Sequence, residues 1–212
     1  MKTIRETFEE RIQILLPGMK ILSKRDSRWY RFLAWVLKPF IPDYMDRFSS
    51  AGLDGNIYLD EGSWNKPDTN ILPILAHEAV HLYDRKKSGS LMFMFAYLFP
   101  QCLSILAVLA FLSPWFLLAL VFLTPLPAPF RANIEQDGYS MQLFTYAKLR
   151  PGMDMSNYIS SVVDMFFDGS YYFMWPFGRK RLSLTFLLNS RRMNIDHPMF
   201  RFVNEFIDEV NS

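Results

Sequence analysis

A stretch of 43 residues without a charged side chain or a histidine constrains this chain more than any other feature of its sequence. It covers residues 88–130 of the 212 and is dominated by leucine, phenylalanine and alanine. About 20 helical residues cross the roughly 30 Å hydrocarbon core of a bilayer, so this stretch has room for two membrane segments joined near 112–114. The sequence therefore predicts one domain over residues 1–212 that carries an apolar helical hairpin at 88–130.

The two arms of the predicted hairpin differ in regularity. The first arm, 91–111, is long enough to span, with Pro100 expected to kink it. The second arm begins at Trp115 and meets three prolines between 125 and 129, which shorten its regular part. Re-entrant insertion is therefore an alternative to a full crossing, and burial of the hairpin in a soluble or assembled protein is another.

Basic residues flank the apolar stretch on both sides. Residues 85–87 read Arg-Lys-Lys, and Arg131 follows the stretch. By the positive-inside rule, both ends of the hairpin lie on the cytoplasmic face of a membrane. The predicted location is a membrane with the functional site on its cytoplasmic side. A soluble cytoplasmic protein, or a component of an assembly, is the alternative.

Directly before the apolar stretch, His77, Glu78 and His81 form the pattern H-E-x-x-H. Residues 70–87 have apolar side chains at helical spacing, which predicts a helix. Two histidines four residues apart lie on one face of a helix and can bind the same zinc ion, with the glutamate between them as general base. The pattern predicts Zn²⁺ as cofactor, His77 and His81 as ligands, and Glu78 as a catalytic residue.

A catalytic zinc needs a third protein ligand, and the sequence offers few candidates. The ligand is either His197, the one histidine outside the motif, or a carboxylate. We favour Glu135, which lies in the first part of a second predicted helix over about 131–148, and Asp137 is the second choice. The lone cysteine, Cys102, lies inside the apolar stretch and leaves no pattern for a thiolate zinc site.

Peptide hydrolysis also needs a donor that stabilises the developing oxyanion. Tyr139, His197, Arg191 and Arg192 each offer a hydrogen-bond donor, and the sequence does not choose among them. Tyr139 and His197 are included among the candidate catalytic residues. His-Pro before a helix also often serves as a cap or turn.

The predicted fold class is mainly α, with a small strand component. Residues 56–60 alternate apolar and polar after Gly52 and Gly55, which predicts a short strand just before the motif helix. We expect it to be an edge strand, which can hold an extended peptide by main-chain hydrogen bonds. Further helices are predicted in the N-terminal part up to about residue 47, near 156–167 and over 198–210.

The order of these parts resembles the membrane gluzincin peptidases, a zincin family that includes the HtpX-type heat-shock proteases and the type I CAAX prenyl proteases. Members have H-E-x-x-H on a helix, then membrane segments, then a helix with the third ligand, and often a final His-Pro segment. The corresponding features here are 77–81, the apolar stretch, Glu135 and His197, within a match over about 56–206. The resemblance implies a zincin-like core in which the motif histidines and Glu135 bind zinc and Glu78 activates water.

The resulting functional prediction is a membrane-associated zinc metallopeptidase that hydrolyses peptide bonds through a metal-activated water. Its expected partners are a peptide or protein substrate and membrane lipid. The net charge of +2 gives no reason to expect nucleic acid. The alternative is a non-catalytic structural or interaction protein of a larger assembly, for example a virion, that keeps a zincin-like fold.

A second region, residues 28–38, has a composition typical of membrane-surface helices. Residues 28–38 combine aromatic and basic side chains. This pattern suits a helix that lies on a membrane surface. An amphipathic core helix produces the same pattern and is the more frequent case.

Overall fold

The computed structural model describes residues 2–38, 42–47, 49–124, 126–167, 178–191 and 197–211. As predicted, the described part of the chain is mainly helical, with a small three-stranded sheet. Its α-helices are α1 (Ile4–Arg11), α2 (Arg28–Leu37), α3 (Tyr44–Arg47), α4 (Glu61–Trp64), α5 (Asp68–Ser88), α6 (Ser90–Leu98), α7 (Pro129–Leu149), α8 (Ser156–Met165), α9 (Arg179–Arg191) and α10 (Pro198–Asn211). Its 3₁₀ segments are Ile12–Ile14, Lys24–Asp26, Gln101–Phe111 and Pro114–Leu123.

The sheet consists of β1 (Ile21–Ser23), β2 (Ser50–Ala51) and β3 (Ile57–Leu59) in the order β1-β3-β2. β3 is the strand predicted at residues 56–60, and it precedes the motif helix as expected. It pairs in parallel with β1 and antiparallel with β2, and Tyr58 faces a partner on each side. The prediction that this is an edge strand is wrong, because both of its edges already have a strand partner.

The motif helix α5 occupies the centre of the larger hydrophobic core. It runs from Asp68 to Ser88, close to the predicted 70–87, and packs against α1, α7, α10 and the sheet. Its apolar side chains are buried all around the helix, because neighbours lie on several sides rather than on one. The buried apolar residues of α5 are Ile71, Leu72, Leu75, Ala76, Ala79, Val80 and Leu82.

A second hydrophobic cluster forms where α7, α8 and α9 meet. α7 contributes to both clusters, since Met141 and Phe144 face α5 and α10 while Leu143 faces α8 and α9. The helices predicted near 131–148, 156–167 and 198–210 are confirmed as α7, α8 and α10. α9 was not predicted. It contributes Leu182 and Phe186 to the second cluster.

The apolar stretch is divided at the proline expected to kink it. α6 ends before Phe99-Pro100, and the 3₁₀ segment Gln101–Phe111 that follows is bent by 91° relative to α6. Pro114–Leu123 returns along this segment and packs against it. Within the described ranges, no single helix has the length and apolar composition to cross a bilayer, whereas α6 and Gln101–Phe111 together meet that test by length and composition alone.

The returning pair of 3₁₀ segments leaves many large apolar side chains in contact with solvent. The most exposed residues of the stretch are Leu91, Ile105, Val108, Phe111, Leu112 and Trp115. Large exposed apolar surfaces are uncommon on soluble monomers and are typical of surfaces that contact a membrane or another protein.

Candidate metal centre

Two helices bring three potential metal ligands together inside the protein. His77 and His81 lie one turn apart on α5, Glu135 lies on α7, and all three side chains are buried. The Nε2 atoms of the two histidines are 3.0 Å apart. Oε2 of Glu135 lies 3.4 Å from Nε2 of His77 and 3.7 Å from Nε2 of His81. The structure thus forms the three-residue cluster expected from the sequence.

The spacing of the three donor atoms suits a metal ion. Two ligand atoms bound at about 2.0–2.1 Å to a tetrahedral zinc ion are roughly 3.3–3.4 Å apart. The observed separations of 3.0, 3.4 and 3.7 Å bracket that value. Two imidazole nitrogens and one carboxylate oxygen also form a donor set that zinc accepts. The cluster can therefore hold a metal ion.

The electrostatics of the cluster shift the pKa values of Glu135 and His81 in opposite directions. Burial by itself raises the pKa of Glu135, but hydrogen bonds from His77 and His81 outweigh it and hold the pKa well below its usual range. Burial lowers the pKa of His81, whereas its hydrogen bond to Glu135 and that carboxylate's charge raise it, and the net shift is upward. The contacts of Glu135 with the two histidines thus stabilise its buried negative charge.

Close approach of α5 and α7 depends on a glycine. Gly138 follows Glu135 by three residues on α7, so both lie on the face directed at α5. A Cβ atom at Gly138 would be 2.9 Å from Cε1 and Nε2 of His77 and 2.9 Å from Cε1 of His81. Because carbon atoms do not approach other heavy atoms so closely, any larger residue would displace the two imidazole rings or push the helices apart. Gly138 is a site residue that the motif search did not identify.

Packing orients one of the imidazoles. The ring of Tyr139 contacts His77 edge to face at a centroid distance of 4.7 Å. The Tyr139 hydroxyl lies 3.8 Å from Sδ of Met165. The Nδ1 atoms of His77 and His81 are buried and find no hydrogen-bond acceptor among the described residues. Ring packing therefore contributes to the orientation of His77, and the proposed role of Tyr139 as an oxyanion donor stays a prediction.

Tyr97 on α6 binds the second oxygen of Glu135. Its hydroxyl donates a hydrogen bond to Oε1 at 2.6 Å. Nε of Arg131 donates to the main-chain carbonyl of Tyr97 at 2.8 Å, and the guanidinium lies 4.9 Å from the centre of the Tyr97 ring. The apolar stretch is thus tied directly to the candidate metal ligand. Tyr97 could have been found from the sequence, because it is the one tyrosine within the uncharged residues 88–130.

Glu78 is buried next to the cluster. Burial raises its pKa, and the charges of His77 and His81 lower it without cancelling the effect. Lys24 is also close enough for its charge to act on Glu78. Glu78 therefore lies buried beside the candidate ligands, and its catalytic role stays a prediction.

Lys24 was not anticipated from the sequence. Its side chain is fully buried, and Nζ has no hydrogen-bond partner within the described part of the chain. The ammonium group lies 4.3 Å from the ring centre of Tyr44 and 5.1 Å from that of Tyr30. Burial lowers the pKa of Lys24 to about 8, against the raising effect of nearby Glu78. Cation–π contacts and a nearby carboxylate thus replace hydrogen bonds around a buried charge.

The other predicted residues occupy different positions. His197 is paired with Asp84, with Nε2 and Oδ1 3.2 Å apart, and is not part of the three-residue cluster. Asp137 is exposed on α7. The structure therefore brings Glu135 to the histidines rather than either alternative ligand. Arg192 and the side chain of Arg191 lie outside the described residues, and the catalytic role of His197 stays a prediction.

No protein-family model matches the chain, and comparison with curated proteins and with solved structures found no match either. The resemblance to the membrane gluzincin peptidases is therefore carried by the residues quoted for it. The activity, the metal and the zincin-like core that it implies are proposals.

Proposed function

We propose that the protein is a zinc metallopeptidase that hydrolyses peptide bonds and associates with a membrane. One observation carries the proposal: His77, His81 and Glu135 come together from two helices with donor atoms spaced for zinc, next to buried Glu78. Three protein ligands leave a fourth position for water or substrate, as in catalytic rather than structural zinc sites. A zincin-like arrangement of α5 and α7 belongs to the same proposal.

Each side chain around the metal centre would have a distinct role in hydrolysis. Zinc at this position would lower the pKa of water and polarise the substrate carbonyl. Glu78 would accept a proton on its carboxylate from the attacking water and later return it to the leaving amine nitrogen. Tyr97 would hold Oε1 of Glu135, so that Oε2 keeps its direction toward the histidines. Tyr139 and His197 remain candidates for the oxyanion donor.

The apolar region supports membrane association. α6 and the two 3₁₀ segments after it expose large apolar side chains and contain no charged residue. We place this region in a bilayer, with the metal centre on the cytoplasmic face next to the basic residues 85–87 and Arg131. The same exposed surface also supports the second candidate, a non-catalytic component of a larger assembly or virion, in which a protein partner covers it.

Metal content and proteolysis test the enzymatic proposal. Purified wild-type protein is expected to contain about one zinc ion per chain by mass spectrometry, as a single three-ligand site requires. His77→Ala and Glu135→Ala should lose it, whereas the matched control His197→Ala, which removes the one histidine outside the cluster, should retain it. Zinc in the Glu135→Ala protein would contradict the ligand assignment.

Glu78→Gln separates binding from catalysis. The variant should keep its zinc but lose cleavage of a peptide mixture, because the amide cannot accept the proton from water. Glu205→Gln on the exposed side of α10 is the matched control and should cleave like the wild type. Full proteolysis by Glu78→Gln would show that the cleavage does not depend on Glu78 and would contradict the proposed mechanism. A zinc-loaded wild type without any cleavage would favour the non-catalytic candidate.

Fractionation of cells tests the membrane assignment. Resistance of the membrane-bound protein to alkaline carbonate and release by detergent are expected for an inserted hairpin. Release by high salt or carbonate would indicate a peripheral or assembled protein. Co-sedimentation with a particle that survives detergent would support the assembly component.

A further inference from the structure

Helix α2 is apolar on two opposite faces. Tyr30 is buried against the protein, and Leu33 and Leu37 lie on the same side, partly buried. On the outer side, Trp29, Phe32 and Trp35 face solvent. A surface helix normally has one apolar stripe directed at the core and a polar outer face. α2 therefore has a second apolar face that the described residues leave exposed to solvent.

The outer aromatic side chains form a continuous surface. Trp29, Phe32 and Trp35 follow one another at intervals of three residues and are 58%, 53% and 71% exposed. The ring centres of Trp29 and Phe32 are 5.9 Å apart, and those of Phe32 and Trp35 are 6.2 Å apart. Val36 extends this surface and is 44% exposed. Scattered exposed apolar residues are common, but a row of three neighbouring aromatic rings is not.

Every charge along this helix is positive. Arg28, Arg31 and Lys38 are exposed, and residues 27–38 contain no aspartate or glutamate. Within the described part of the chain, none of the three forms an ion pair. Arg28 lies among the aromatic side chains, while Arg31 and Lys38 lie along one border of the row. The outer face thus presents aromatic rings together with uncompensated positive charge.

We propose that the outer face of α2 lies on the surface of a membrane that contains anionic lipids. Tryptophan favours the boundary between headgroups and acyl chains, and basic residues there bind anionic headgroups. An interfacial helix buries its apolar face about 5–10 Å into that boundary. A second copy of this chain is a poorer occupant, since a two-fold contact between α2 faces would bring the same positive charges together.

The proposal is independent of the metal centre and of the hairpin at 88–130. α2 contacts lipid through its own side chains. The proposal therefore applies to an active peptidase and to a non-catalytic protein alike. The proposed site binds lipid headgroups at the membrane surface. It consists of Arg28, Arg31 and Lys38 together with the row of three aromatic side chains.

Tryptophan fluorescence tests the proposal directly. The chain contains five tryptophans, and replacing all but Trp35 with phenylalanine leaves a reporter on the outer face. With vesicles of phosphatidylcholine and phosphatidylglycerol, the emission of Trp35 should shift to shorter wavelength and be quenched by brominated lipid. A matched variant that keeps only Trp64, which is partly buried against Arg5, should show neither change.

Charge variants test the lipid class. Arg28→Gln/Arg31→Gln/Lys38→Gln should weaken the lipid contact of Trp35 on anionic vesicles, by about fivefold per charge removed, and leave it unchanged on pure phosphatidylcholine. The control Arg179→Gln/Lys180→Gln/Arg181→Gln removes the same number of charges from exposed positions on α9 and should retain the contact.

Two outcomes would overturn the assignment. If Trp35 stays fully accessible to acrylamide while the protein is bound to vesicles, α2 does not contact lipid. If its emission shifts without lipid, as protein concentration rises, a second copy covers the face instead. Because neither readout uses zinc or proteolysis, failure here is distinguishable from failure of the peptidase proposal.

Discussion

Gly138 on α7 lies directly against His77 on α5, so closely that even a methyl group would not fit between them. An added Cβ would be 2.9 Å from two atoms of the imidazole ring. Glu135 lies one turn earlier on the same helix. The missing side chain at 138 therefore leaves the two imidazoles room to lie beside the carboxylate of Glu135.

Gly138→Ala should weaken metal binding strongly. In a helix interior, replacing glycine with alanine normally stabilises the folded protein by roughly 1 kcal/mol. A lower zinc affinity in this variant would therefore reflect the collision with His77. Zinc affinity by competition with a chelator is the measurement. Gly178→Ala, at a position with open space around the glycine, is the control and should bind zinc normally. Unchanged affinity in Gly138→Ala would show that the helices can separate without harm to the site.

Tyr97→Phe should reduce zinc affinity by about 10–100-fold, the range typical of lost partners that orient a ligand. The change removes the hydroxyl that donates to Oε1 of Glu135 and leaves the ring in place. Tyr158→Phe removes a hydroxyl bound by Gln142 instead and should leave zinc affinity intact. Equal affinities in the two variants would argue against an orienting role for Tyr97.

Metal removal should lower the stability of the folded protein. His77 and His81 on α5 and Glu135 on α7 belong to separate helices, so an ion that binds all three favours the packed state. Zinc at about 1,000 times its dissociation constant adds roughly 4 kcal/mol. Thermal unfolding with zinc and with a chelator measures the effect. The difference should vanish in His77→Ala, and a chelator-sensitive shift that persists there would place the ion elsewhere.

Lys24 should make the free energy of unfolding depend on pH in the alkaline range. Burial lowers its pKa to about 8 in the folded protein, against 10.5 as its ordinary value. Between these values the unfolded chain binds more protons, so the free energy of unfolding rises with pH in this window. Lys24→Met lacks this contribution. The wild type should therefore gain up to about 3 kcal/mol relative to the variant between about pH 7 and pH 10.5.

Urea unfolding of the two proteins across this pH range measures that difference. Other titrating groups are common to both chains, so their contributions largely cancel in the comparison. A constant difference between wild type and Lys24→Met would show that the Lys24 ammonium group is not penalised by burial.

The local spacing of apolar residues was sufficient to predict many of the helices. The apolar spacing around 77–81 predicted α5 to within two residues at its start, and the helices α7, α8 and α10 followed in the same way. α9 escaped prediction because its apolar residues are spread around the helix instead of forming one stripe, and only contact with α7 and α8 buries Leu182 and Phe186. Whether β3 is an edge or a central strand depends on β1, more than thirty residues earlier.

The sequence by itself determined that His77 and His81 share a helix face, that Glu135 lies on a later helix and that an uncharged stretch separates them. These properties depend on helical periodicity and composition, which act over a few neighbouring residues. Only the tertiary structure decided that Glu135, rather than Asp137 or His197, meets the histidines, and that Tyr97, Gly138 and Lys24 surround the site. Those contacts join groups far apart in the chain, because they arise from the packing of α5 against α7 and its neighbours.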